Sequence, residues 1–357
     1  MTTPLAEKLP SITIIIPVLH SLDELRHCLE SIDDLDYPKD RFQVAVIDCH
    51  AVTGLESFSR VVLPTIHCNV DLISLPETAK NDAPAWLIES RTNEARNAAL
   101  SKMPAEIYAF TEDDCTFPRT WLRRIANVIS DKVGAIGGPE ILPKDLSWFA
   151  QSLDTVLNSR IGAGGLRRGG PHNKDTYYPR KQNMAYSNQV IEAIEEFPED
   201  LPISGDLFIA TKTRDLGLKI LYLDDNAVWH RRVNTLVGFF RLSMYSAACN
   251  VQLLKQHRHL FSSAYGYVIL AGIFLAVMLI FSWFNDVAAT IVTTLFLGYA
   301  LTVTALASSA AIHARDVRLM FGVIALTVAH HLSILIGASW GSIRQMEWSK
   351  IDHSATY

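Results

Sequence analysis

The chain is 357 residues long, too long for one ordinary small domain, and 49% of its residues are hydrophobic with a mean hydropathy of +0.16, high for a soluble protein. Its formal net charge of -5 leaves no basic footprint for nucleic acid. The cysteines Cys28, Cys49, Cys68, Cys115 and Cys249 are odd in number and form no CxxC pair, which fits reduced cytoplasmic thiols better than a disulfide framework or a zinc site.

Ser11 to Pro17 is a continuous β-branched run closed by proline, the pattern of a buried strand in a parallel sheet. No apolar signal segment precedes it, so the N-terminal domain is expected not to be exported. Helical spacing follows from Leu22 to Ile32, with Asp23 and Glu24 at the end where the helix dipole favours acid. Further strands are expected at Phe42–Ile47, Val70–Leu75 and Ile107–Phe110, with helices near Glu89–Lys102 and Arg119–Ser130. Such alternation implies a βαβ sheet with helices on both faces, which binds ligands at the carboxyl ends of its strands. Asp48 stands at one such end and Glu112-Asp113-Asp114 at another.

Three like charges repel, so this acidic run persists most easily around a divalent cation that holds a phosphorylated ligand. Alternate residues of an extended chain share a side, which turns Glu112 and Asp114 to one cation and Asp113 elsewhere. A solvated acidic turn is the plain alternative.

The pattern changes after Gly137-Gly138-Pro139. An amphipathic helix is expected over Leu146–Leu157, followed by a loop in which Gly162, Gly164, Gly165, Gly169 and Gly170 alternate with Arg160, Arg167 and Arg168. That loop is either a solvated linker or a cationic lid over phosphates. Leu236–Gln256 is partly amphipathic and suits a membrane interface. Leu260–Asn285, Val287–Ala314 and Leu319–Ile343 then contain no Asp, Glu, Lys or Arg, and each exceeds the roughly 20 residues a bilayer core requires. Three membrane helices are therefore expected. Lys255 and Arg258 precede the first, and Arg315 and Arg318 separate the last two, which places the N-terminal domain and that connection in the cytoplasm and the tail outside. The expected order is a catalytic domain over residues 1–235, an interfacial helix over 236–260, three spans within 261–343 and a tail over 344–357.

Taken in order, these features resemble the inverting family 2 glycosyltransferases of the GT-A fold, from about Ile12 to His230. Pro17-Val18-Leu19-His20 is similar to the family's opening strand, Val46-Ile47-Asp48 to the strand whose aspartate meets the nucleotide base, and Glu94-Ala95-Arg96-Asn97 to its "ARN" helix. Phe110 to Asp114 is similar to the metal-binding DxD. Gly205-Asp206 stands where the catalytic "ED" is found, and Val228-Trp229-His230 resembles the closing "V-x-H". Asn158-Ser159-Arg160-Ile161-Gly162-Ala163-Gly164-Gly165 and Asp175-Thr176-Tyr177-Tyr178 resemble, more narrowly, the succinoglycan-type exopolysaccharide glucosyltransferases, which also carry C-terminal membrane helices.

The resemblance implies a Rossmann-like mixed sheet and transfer of a hexose from a UDP- or GDP-sugar to a lipid-linked acceptor at the cytoplasmic face of the cell membrane. It implies donor contacts from Pro17, Asp48, Arg96, Asp113 and Asp114, a Mg2+ or Mn2+ ion on Glu112, Asp114 and His230, and Asp206 as general base. On spacing alone, Asp206 also reads as a helix cap, Arg96 as a helix-surface arginine and His230 as a strand-end histidine. The sequence departs from the family at His20, Cys49, Glu112 and Gly205 and has no Q-x-x-R-W after His230, which argues against a processive synthase. Transfer to polyprenyl phosphate, and a catalytically silent scaffold subunit, are the alternatives.

Overall fold

The computed structural model describes residues 9–49, 52–75, 91–143, 147–163, 177–199, 203–231, 235–256 and 264–343. Gly164 to Gly170, Asp175, Thr176, Asp200 and the tail lie outside them. The chain divides into two compact units, Met1–Pro143 with Arg168–Arg231, and Lys144–Arg167 with Arg232–Tyr357.

The first unit holds β1 (Ile12–Val18), β2 (Phe42–Asp48), β3 (Asn69–Ser74), β4 (Ile107–Phe110), β6 (Val133–Gly137), β8 (Met184–Ser187) and β9 (Lys219–Tyr222) in one sheet of order β3-β2-β1-β4-β8-β6-β9. β1 to β4 are parallel, β8 runs antiparallel to both β4 and β6, and β9 is parallel to β6. A second, small sheet sets β10 (Val228–His230) between β5 (Cys115–Thr116) and β7 (Glu140–Ile141).

β1 is buried along its whole length because both its faces meet a core. Ile12, Ile14, Ile16 and Val18 enter one apolar cluster and Ile15 the other, as expected for a central strand between helical layers. On the first face α1 (Leu22–Asp33) is capped by Ser21, whose hydroxyl accepts from the Glu24 N–H, and it inserts the stripe Leu25, Cys28, Leu29 and Ile32. Each of those larger aliphatic side chains contributes about 1.5–3 kcal/mol on burial. α2 (Leu55–Val61) and α4 (Trp121–Val128) share that cluster, whereas α3 (Thr92–Lys102), α7 (Asn188–Ile194) and α8 (Gly205–Asp215) pack on the opposite one.

The second unit contains α5 (Trp148–Asn158), α6 (Arg160–Ala163), α9 (Leu236–Gln256), α10 (Ala264–Phe281), α11 (Asp286–Ala314) and α12 (Arg318–Ile343). Residues 147–163 group with these C-terminal helices. The cause is the apolar stripe of α5, where Leu153, Val156 and Leu157 join Phe239, Ala307, Val323 and Leu326 in one cluster. α9 and α12 approach until their backbones touch. A Cβ on Gly337 would lie 2.0 Å from the Met244 carbonyl oxygen, and one on Gly341 2.5 Å from that of Ala248, the close packing that small residues four apart permit. His330 stacks on Phe239 and meets Ser243, and His331 Nε2 faces the carbonyl oxygens of Ile161 and Gly162, so both ring systems find polar partners between helices.

Among the described residues two helices, not three, are long and apolar enough to cross a membrane: α11 with 29 residues and α12 with 26. The helix of the first uncharged run, α10, ends at Phe281, four residues before the run does, and its apolar stretch among the described residues is Leu270–Phe281.

Candidate active site

The acidic run is delivered by the carboxyl end of β4. The Thr111 N–H still bonds the Ile15 carbonyl, 3.1 Å away, before a turn closes with the Cys115 N–H on the Glu112 carbonyl. β10 then pairs antiparallel with β5 in a register that sets His230 opposite Cys115. That pairing lays the His230 ring on the acidic turn, with Nε2 3.0 Å from Asp114 Oδ2 and 3.9 Å from Glu112 Oε2. Glu140 of β7 holds the other ring nitrogen at 3.1 Å. Residues far apart in sequence thus converge through one strand register.

Glu112, Asp113 and Asp114 are only 2%, 0% and 3% exposed, which excludes the solvated-turn reading. Buried carboxylates need partners, and each has a different set. Glu112 pairs with the Lys181 ammonium and accepts from the Gln182 amide, both delivered by the segment ahead of β8. Asp113 turns the other way, as alternation requires. Its Oδ2 accepts from the Leu19 and His20 N–H groups at 3.1 and 2.8 Å, and its Oδ1 lies 2.7 Å from His20 Nδ1. Asp114 Oδ2 is buried without an aligned hydrogen bond.

Burial disfavours ionisation of Asp114, but the neighbouring His230 and His20 outweigh it and hold the carboxyl below the usual range. Burial likewise opposes charge on His20, yet Asp114 and Asp113 push its pKa up to about 10. Burial, with Asp114 and Glu112 nearby, drives the Cys115 thiol well upward. Asp114, Cys115 and His230 present ligand atoms within 4.8 Å of one another, as do His20, Asp113 and Asp114. The donors of these groups are carboxylate oxygen, imidazole nitrogen and one thiol sulfur, and the oxygen and nitrogen donors suit Mn2+ and admit Mg2+. Asp114 Oδ2, buried and shared between the two groups, fits such an ion.

Asp206 opens α8, where the first turn favours a carboxylate. Arg96 Nη2 reaches its Oδ1 at 3.0 Å and the Lys181 N–H its Oδ2 at 2.8 Å. The Arg96 head is buried, over the rings of Phe197 and Phe110. A Cβ on Gly205 would stand 2.2 Å from Asn93 Oδ1 and 2.6 Å from Arg96 Nη1, so the departure at position 205 makes room for the arginine that holds Asp206. Asp48 ends β2 in register with Val18 and accepts from the Val52 N–H, and Pro17 lies buried in β1 opposite Ile47. Both stand at the same strand edge as the acidic run. Lys181, Gln182 and Glu140 carry no motif that marked them in the sequence, and His20 was visible only as a departure from the family pattern.

No protein-family model matches the chain. Glycosyltransferase AglE of Haloferax volcanii is 24% identical over 221 residues, 61% of this chain and 66% of that protein, so just under two thirds of the relative's length is matched. Mannosyltransferase PcManGT of Pyrobaculum calidifontis, solved with GDP-Man and Mn2+, superposes with a TM-score of 0.62 at 20% identity over 91% of this chain and 88% of its own. The likeness shows the fold, a mixed α/β GT-A-like sheet.

Proposed function

We propose that the chain is a membrane-anchored, metal-dependent inverting glycosyltransferase that moves a hexose from a UDP- or GDP-sugar to a lipid-linked acceptor in glycan synthesis. The convergence of Glu112, Asp114 and His230 at the carboxyl edge of the sheet carries this reading. The similarity to a named glycosyltransferase, and to a fold solved with GDP-Man and Mn2+, supports it. Glu112, Asp114 and His230 are the residues that would hold Mg2+ or Mn2+, which when bound supplies positive charge for the departing diphosphate. Lys181, now on Glu112, adds a cation at the same edge. Pro17, Asp48, Arg96, Asp113 and Asp114 remain the residues we assign to the donor side, with Arg96 and Asp113 acting by holding Asp206 and the Leu19–His20 turn.

One carboxylate suffices for a single inverting displacement. Asp206 takes the proton of the acceptor hydroxyl as the new bond forms, held in place by Arg96 and the Lys181 N–H. Of the two departures behind the scaffold alternative, Gly205 and the segment after Asp48, packing against Asn93 and Arg96 accounts for the glycine. Most large apolar residues of α11 face outward, Phe296 and Leu301 being 70% and 71% exposed, whereas a soluble-core helix would bury them. That surface supports a membrane setting and a lipid-borne acceptor.

Asp114→Ala is expected to abolish Mn2+-dependent nucleotide binding, read as a ligand-induced thermal shift in detergent; an undiminished shift would refute the metal assignment. Asp206→Asn is expected to keep donor binding while transfer falls by about two orders of magnitude or more. The hold of Arg96 and Lys181 on both Asp206 oxygens favours one second reading. Polyprenyl phosphate is already anionic near neutral pH and needs no base, so near-normal transfer to it by Asp206→Asn would select that acceptor.

A further inference from the structure

The two histidines of the site are built alike. His230 Nδ1 is held by a carboxylate oxygen of Glu140 at 3.1 Å, and His20 Nδ1 by one of Asp113 at 2.7 Å. In each ring this leaves Nε2 turned inward, and both Nε2 atoms face the same atom, Asp114 Oδ2, at 3.0 Å for His230 and 3.9 Å for His20. A carboxylate on one imidazole nitrogen is the arrangement that orients metal-bound histidines and strengthens them as ligands. Asp113 fixes His20 from both ends, because its second oxygen also holds the Leu19 and His20 N–H groups. The oxygen on which the rings converge is buried and lacks an aligned hydrogen bond.

Donors about 2.1 Å from one ion stand about 3.0 Å apart when adjacent and about 4.2 Å apart when opposite. The separations from Asp114 Oδ2 to the two Nε2 atoms, and the 3.9 Å from His230 Nε2 to Glu112 Oε2, fall within that range. We infer that His20 is a second imidazole ligand of the metal centre and makes it selective for Mn2+-like transition ions over Mg2+, an inference that rests on the metal reading above. His20 ligates as the neutral ring, so the incoming ion displaces its Nε2 proton to solvent; imidazole nitrogen favours transition ions, whereas Mg2+ takes oxygen and keeps its waters. The His20 side chain is 32% exposed and those of Glu112, Asp114 and His230 are buried, so His20 is the ligand nearest solvent.

The test uses the full chain in detergent, loaded with Mn2+ and measured by pulsed EPR for nitrogen coupling. Two coordinated imidazoles are expected in the unaltered protein and one in His20→Asn. Titration should show Mn2+ affinity falling about tenfold or more in His20→Asn, with Mg2+ affinity within about twofold of the parent. One nitrogen in the unaltered protein overturns the inference without recourse to any variant, and so does an unchanged preference for Mn2+ over Mg2+ in His20→Asn. Mn2+ binding that is absent altogether overturns the metal reading itself, and the role of His20 with it.

Discussion

Asn93, Arg96 and Gly205 form a packing unit at the foot of the proposed base. Asn93 is tied to the Pro198 carbonyl and Arg96 to Asp206, so neither side chain can yield to a new methyl group at position 205. Gly205→Ala is therefore expected to destabilise the fold by about 1–3 kcal/mol. Gly205→Glu, which installs the residue of the resembled family, should lose more and displace Arg96 from Asp206. Chemical denaturation measures both, and an alanine variant as stable as its parent would show that the arginine moves aside freely. What the sequence made legible here was the contiguous part. Glu112 and Asp114 follow an apolar strand, and alternation alone turned Asp113 away from them. His20 and Lys181 were not legible as parts of the site, because one reaches it from the end of β1 and the other through antiparallel pairing of β8 with β4, contacts that no local spacing records.

Among the elements, α9 and α12 depend on two glycines of α12 that let the helix backbones meet. Gly337→Leu places a branched side chain against the Met244 backbone, which cannot retreat as a flexible side chain might. The second unit should then unfold at a lower temperature in detergent, whereas Gly298→Leu in α11, where a Cβ would meet nothing within 4 Å, should leave unfolding unchanged. Equal effects at the two positions would contradict the close contact. The chain order of strands and helices in the first unit was readable to within a few residues at most ends, since burial on both faces imposes continuous apolar runs and helix stripes impose a period. The ends of α10 were not readable. Absence of charge marks a segment as apolar but does not report where its helix stops: the uncharged run reaches Asn285, whereas the helix ends at Phe281.

For the molecule as a whole, the apolar outer surface of α11 and the length of α12 predict that the full chain stays with the membrane fraction after alkaline carbonate washing and leaves it only in detergent. Release by carbonate alone would show that neither helix spans. The grouping of residues 147–163 with the C-terminal helices, rather than with the sheet that flanks them in sequence, lay beyond sequence reading because it arises from long-range apolar contact.

The strand that completes the acidic site has a consequence during synthesis. Among the described residues β10 is the last strand of the sheet-bearing unit to be made, and His230 is its final residue. At about 5–20 residues per second, a ribosome needs roughly 6–23 s to travel from Asp114 to His230. Throughout that interval the nascent chain carries its carboxylates with His20 but without the His230 imidazole. On the proposed metal assignment, a site that includes His230 is complete only once β10 has paired with β5, by which time synthesis has reached α9.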